Sequence, residues 1–304
     1  MATTDDSEIL DFYRRPGEMS SAGKHAGLLG GHGCDLEVLA REAQGLILHE
    51  HIAGAYGETI SDTRRNEVHI RTLENIIDRV LSHDPRPLTE PRSLGNRVIG
   101  NCRDYTLLTV ALLRERGVPA RGRCGFGAYF SPGKFVDHWV AEFWSEDQSR
   151  WVRMDAQIDD VQKRLFNIGF DLLDVPADQF LIAGDAWSRC RSGELDPGDF
   201  GILDMAGLWF IAGNLIRDVA SLNSKEMLPW DAWGGMPQPG DHLDVAQLAF
   251  FDRLASLTQD PDAHFAEIRT LYEGDERLLV PNVVFNAVRR RPELVATGEP
   301  VGAA

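Results

Sequence analysis

A chain of 304 residues, 43% hydrophobic and 26% charged, has the composition of an ordinary globular protein long enough to bury a sizeable core. Its 31 basic against 47 acidic residues give a formal net charge of −16. That argues against nucleic acid as a partner, because phosphate contacts need a basic face, and it disfavours an anionic membrane surface.

The four cysteines, Cys34, Cys102, Cys124 and Cys190, are widely spaced with no CxxC pair, so a disulfide framework is not expected. The start, Met1 to Ser7, lacks the basic and apolar segments of a signal peptide. No run of about 18 apolar residues exists to span a bilayer. A cytoplasmic protein is expected.

Residues 1–34 form a mixed N-terminal segment with a Gly/His-rich stretch around His32 and Cys34. With His49 and His51 following, the stretch suggests a metal site, but no tetrahedral spacing follows and no metal is expected. From Asp35 to about Ala53, Leu36, Leu39, Ala40, Ala43, Leu46 and Ile47 recur at helical spacing. A second helix is expected from Arg65 to Leu81, with Val68, Leu73, Ile76, Ile77 and Val80 inward. Pro85, Pro87 and Pro91 mark an extended connection.

Next comes the stretch that carries chemistry, Gly100-Asn101-Cys102-Arg103-Asp104-Tyr105. Asn101 suits an N-cap and Asp104 completes a capping box, so a helix is expected to begin at Cys102 and to stop at Gly117 and Pro119. A thiol at a helix start meets unpaired N–H groups and the positive dipole end, both of which favour thiolate. A buried structural cysteine is the bland alternative.

A strand is expected from Ala120 to Phe130, where Gly125 and Gly127 leave room for a close neighbour. Ser131 to Lys134 turns the chain. His138 to Trp144 and Arg150 to Asp155 then read as a hairpin. If its loop is the four residues from Ser145 to Gln148, His138 and Asp155 stand directly opposite one another, within hydrogen-bonding reach. An imidazole held by a carboxylate is the base that a cysteine nucleophile needs. A surface ion pair is the alternative.

These residues resemble the transglutaminase-like superfamily, which shares a papain-like core. The resemblance rests on Asn101-Cys102-Arg103-Asp104-Tyr105, Leu112 to Arg121, Asp137-His138-Trp139-Val140-Ala141-Glu142-Phe143 and Trp151 to Ala156. It implies Cys102 as nucleophile, His138 as general base and Asp155 as the acid that orients it. It further implies a helix carrying the cysteine, packed on an antiparallel sheet carrying the other two. The superfamily holds acyl transferases, peptidases, amidases and members without catalysis, so the resemblance does not select one activity. Animal transglutaminases are expected to place a tryptophan before the cysteine; here no tryptophan precedes Trp139. Papain-like proteases instead resemble a pattern with an amide side chain shortly before the cysteine, which makes Asn96 the candidate oxyanion donor.

Beyond Val161 the chain reads as mostly helical. Helices are expected over 177–191, 202–222, 245–257 and 264–271, with a short, frayed end from Val283. The loop from Leu228 to Pro239 sets Trp230 and Trp233 among glycines and prolines, either as a wall of a substrate pocket or as a plug between the halves. Arg103, Arg121 and Arg123 suit a substrate carboxylate, or else are solvated or structural.

The expectation is therefore an α+β protein: an N-terminal segment (1–34), a transglutaminase-like core (35–160) and a helical extension packed on it (161–304). Its expected activity is acyl transfer or hydrolysis of an amide, peptide or thioester bond through Cys102, His138 and Asp155. Arg103, Arg123, Trp139, Trp230 and Trp233 are expected to touch a peptide or small-molecule acyl substrate, with no metal or organic cofactor. A non-catalytic binding module and an amide-forming transferase of small-molecule biosynthesis are the alternatives.

Overall fold

The computed structural model of the chain describes residues 6–30 and 33–301. His32 lies outside them. The N-terminal part contributes helix α1 (Asp6–Arg14), helix α2 (Leu36–Leu46), strand β1 (Ile47–His49) and helix α3 (Leu73–His83). Asp35 caps α2 by accepting the Val38 N–H, and Thr72 caps α3 by accepting that of Asn75. Two expected helices end early or break. The first stops at Leu46, where Ile47 to His49 pair in parallel with β2 (Val98–Gly100). The second is a short turn at Asp62–Arg65, a 3-10 turn at Asn66–His69 and then α3. Between the last two, Arg71 is drawn into a buried ion pair with Asp231 and Glu293, and that tertiary demand overrides the helical period.

Helix α4 (Cys102–Glu115) follows β2. It leads into the antiparallel strands β3 (Ala120–Gly127), β4 (Phe135–Ser145) and β5 (Arg150–Met154). Later come helix α5 (Asp160–Leu165), β6 (Phe180–Ile182), α6 (Ala183–Arg191), β7 (Phe200–Ile202), β8 (Met205–Ala206) and α7 (Leu208–Leu222). The chain closes with β9 (Asp231–Ala232), α8 (Val245–Gln259), α9 (Phe265–Gly274) and the hairpin β10 (Val283–Asn286) and β11 (Arg291–Leu294). The segment expected to fray is thus a hairpin, paired through β10 to β9. The helix expected from residue 202 begins only at Leu208, after Gly207 at φ 123°, and the one expected from 177 begins at Ala183, after β6.

This is an α+β fold. The main sheet runs β6-β3-β4-β7-β8, with β5 also on β4. Strands β6, β7 and β8 come from beyond residue 160, so that part of the chain enters the same sheet as the hairpin. Gly125 permits it: a Cβ there would lie 2.2 Å from the Leu181 carbonyl oxygen of β6. One sheet face, with Ala120, Ala141, Phe143, Val152 and Met154, shares the main core with Leu107, Leu108, Leu112 and Ile211. The other face packs Val140 and Phe180 against Ile158, Ile168 and Tyr129 in a smaller core.

Among the described residues no helix is long and apolar enough to cross a membrane, and no group of three His, Cys, Asp or Glu side chains is placed to hold a metal ion.

Candidate active site

Cys102 is the first residue of α4, as its local sequence requires. The Asn101 side chain accepts the Arg103 N–H at 3.0 Å, and the Asp104 carboxylate accepts the Asn101 N–H at 3.0 Å, a complete capping box. These two contacts fix the point at which the helix starts and so the place of the sulfur.

The sulfur meets β4 at its edge. On the side away from β3, β4 pairs with β7 through Phe135 and Val136, and with β5 from Ala141 to Ser145. Neither strand reaches residues 137–140. In that gap Trp139 packs on Cys102, with its backbone N–H near enough to the sulfur to favour the thiolate. His138 therefore adjoins the very residue that touches the thiol.

Across the hairpin, His138 Nε2 lies 2.8 Å from Asp155 Oδ2. Tyr129 Oη donates to the same oxygen at 2.7 Å, and the Gln157 N–H donates to Oδ1 at 3.0 Å. The predicted pair forms, but not in the predicted register. The hairpin loop is Glu146 to Ser149, with Ser149 at φ 49°, and the strands pair Ser145 with Arg150 and Ala141 with Met154. Moving the loop by one residue moves every partner by two. Asp155 lies just past the end of β5 on the line of Val140, diagonal to His138. A shift of two preserves the sheet face, so the contact survives.

All three residues are buried: Cys102 is 7% exposed, His138 2% and Asp155 3%. Burial pushes the thiol well above its ordinary value. Asp137 adds to this, the Trp139 N–H opposes it, and Asp104 and Asp155 raise it further. Burial thus works against the thiolate that a helix start favours.

Asn96, the expected oxyanion donor, lies at the exposed end of a 3-10 turn, Leu94–Asn96, with no hydrogen bond to these residues. Two other donors, one on the residue before the cysteine and one on a residue that packs against it, were not foreseen in that role. Asn101 Nδ2 and Trp139 Nε1 belong to side chains only 4% and 1% exposed, and neither has a hydrogen-bond partner. Trp139 packs with Cys102 and Cys124 in one buried cluster.

The arginines are corrected. Arg103 spends its donors on the Glu226 and Arg71 carbonyls and on Asp104. Arg123 is tied to Asp218, Glu142 and the Thr258 carbonyl, and Arg121 to Glu142 and Asp262. These guanidinium groups are held inside the protein and are not presented to a ligand. Trp233 is buried and donates to the Leu278 carbonyl at 3.0 Å. Trp230 packs against Leu48, Val68 and Ile99, with its ring 5.1 Å from that of His69. Both serve as packing.

His49, at the end of β1 opposite Gly100, is an unforeseen neighbour. Burial, with the charges of His51 and His138 close by, pushes it down to about 3. Its Nδ1 accepts the His51 N–H at 3.2 Å, which leaves the proton on Nε2. No local sequence pattern marks it. It becomes visible only once β1 is paired with β2.

Cys102 thus packs against Trp139 of β4, the strand that carries His138, and His138 is paired with Asp155. Residues 59–156 match the model of the transglutaminase-like superfamily, and that stretch is similar to it. No curated protein matches the chain. A solved structure from Cytophaga hutchinsonii, provisionally described as a cysteine protease, is 18% identical with a TM-score of 0.33, over 59% of this chain and 46% of that one. The chain thus matches less than half of that protein's length.

Proposed function

We propose that Cys102, His138 and Asp155 are a catalytic triad for acyl transfer or hydrolysis at an amide, peptide or thioester carbonyl. The observation that carries this reading is the buried 2.8 Å contact of His138 with Asp155, one residue from Trp139, which packs on Cys102. With Nε2 committed to the carboxylate, Nδ1 takes the thiol proton as sulfur attacks the carbonyl carbon. Burial raises the thiol, so in this reading deprotonation accompanies attack. Trp139 Nε1 and Asn101 Nδ2 receive the developing oxyanion, a task that suits buried donors without acceptors. Nδ1–H then protonates the leaving group, and an acyl-thioester remains on Cys102. Water releases it as an acid; an amine releases it as an amide.

The test is intact mass after exposure to an activated acyl ester. The expected result is one acyl group on Cys102, absent in Cys102→Ala and slowed in His138→Gln. The burial of the thiol favours a second reading, a non-catalytic module. Folded protein that never acquires the adduct would establish that one instead.

A further inference from the structure

His138 works among carboxylates. Asp137 precedes it on β4 and feels its charge, Asp155 lies against its Nε2, and Asp104 comes from the first turn of α4. All three raise the Cys102 thiol. From β1 the neighbour is His49, pushed down to about 3, and from β6 it is the Phe180 ring. Negative charge so placed stabilises a protonated imidazole and a neutral thiol together. In that state nothing is left to take the thiol proton. A site for acyl transfer must therefore weaken its own carboxylates towards the imidazole. Asp137 accepts from Asn214 Nδ2 at 2.7 Å, and Asn214 accepts from Arg217. Asp104 accepts from Arg103 at 3.1 Å. Asp155 is met instead by the hydroxyl of Tyr129.

Gly127 makes that contact possible. A Cβ there would lie 2.6 Å from the Phe130 ring and 3.2 Å from that of Tyr129. Without one, the chain after β3 folds both rings back over the histidine, with centroids 4.7 and 5.8 Å from that of the imidazole. The Tyr129 hydroxyl donates at 2.7 Å to Oδ2, the same oxygen that His138 Nε2 meets at 2.8 Å. Burial raises the phenol well above its ordinary value, so it remains a donor. Two donors on one oxygen draw on the same charge, and each weakens the other's hold. Resting on the triad reading, we propose that Tyr129 is a positioning residue of the triad: by sharing Oδ2 with the imidazole, its hydroxyl limits how strongly Asp155 stabilises imidazolium and so keeps His138 free to accept the thiol proton. It also fixes which carboxylate oxygen the imidazole meets.

The test compares the parent protein with Tyr129→Phe, as kcat/KM for the acetyl thioester of ethanethiol between pH 5 and 8.5. Nδ1 takes the Cys102 proton and passes it to the departing ethanethiol, acetyl stays on Cys102, and water then returns acetate and the free thiol. Loss of thioester absorbance gives the rate, and intact mass gives the adduct. The acid limb of kcat/KM reports the base of the free protein. In Tyr129→Phe the limb should move to higher pH by about half a unit or more, so that the rate at pH 5.5 falls about threefold or more, while the two proteins converge towards pH 8.5. Tyr129→fluorotyrosine, a stronger donor of nearly the same shape, should move the limb the other way, and it carries the test should Tyr129→Phe fail to fold. A merely structural tyrosine would change the rate by one factor at every pH. Acetylated Cys102 with the acid limb at the same pH in parent and variants would overturn this inference and leave the triad standing. No acetylation of Cys102 in the parent protein would overturn both.

Discussion

His138 and Asp155 meet at 2.8 Å although they are not partners in the hairpin ladder. The carboxylate reaches back from beyond the end of β5 and is steadied by the Tyr129 hydroxyl and the Gln157 N–H. Three donors thus converge on one buried group. Replacing Asp155 by Asn keeps its size but lets the amide present N–H to the imidazole, which favours the wrong tautomer. Acyl transfer by Asp155→Asn is expected to fall by roughly 10² to 10⁴ in kcat, with the thermal midpoint shifted only slightly. Thioester turnover beside a melting curve checks both halves. Activity within twofold of the parent protein would remove Asp155 from the mechanism.

The thiol's protonation makes a second prediction. Cys102 is buried with its pKa raised, whereas Cys34 is exposed. Iodoacetamide at pH 7 should therefore label Cys34 well before Cys102, and labelling of Cys102 should quicken as pH rises. Peptide mapping of a labelling time course gives the order. Cys102 reacting first at pH 7 would show that sulfur and imidazole rest as an ion pair.

What could be read in the chain beforehand follows the range of each interaction. The start of α4 was legible to the residue, because Asn101 and Asp104 act within one turn. The hairpin was legible from its strand-forming residues; its register was not, since a loop one residue later costs little locally. The strands β1, β2 and β6 are three residues each, too short to show a period, and only tertiary pairing makes them strands. Trp139 stood among the candidates for substrate contact, but its unpaired N–H could not be seen without its surroundings. The arginines misled most. Charge suggested a ligand, while partners such as Asp218, 95 residues from Arg123, turn it into internal structure.

Arg123 gives the clearest test of that correction. It lies between Asp218, at 2.8 Å, and Glu142, at 3.2 Å, with all three side chains at most 4% exposed. Arg123→Met would leave two buried carboxylates with less compensation, and loss of one partner of a buried pair costs about 3–5 kcal/mol. Urea unfolding should show a loss of that order, and whatever folded fraction remains should bind the thioester substrate with an unchanged KM. A large rise in KM with stability intact would return Arg123 to the substrate site.

The last prediction concerns acid. His69 is buried, its Nδ1 lies 3.1 Å from Asn286 Nδ2, and its ring packs on Trp230. Burial pushes it down to about 4, helped by Arg289, Arg71 and Arg291 and opposed by Glu293. An unfolded histidine titrates near 6.5. Between those values the unfolded chain binds the extra proton, so the contribution of His69 is whole above pH ~6.5 and is lost as pH falls towards 4. The loss is on the order of 2–3 kcal/mol across that window. Asp104, raised to about 6 by burial, works in the opposite sense over part of the same range, which is why the comparison must be between proteins and not between pH values alone. His69→Gln keeps an acceptor for Asn286 and cannot take the proton. Urea titrations at pH 7, 5.5 and 4.5 should show the parent protein losing stability faster than the variant, the gap widening as pH falls. Parallel slopes would mean that His69 is not the group that takes up the proton on unfolding.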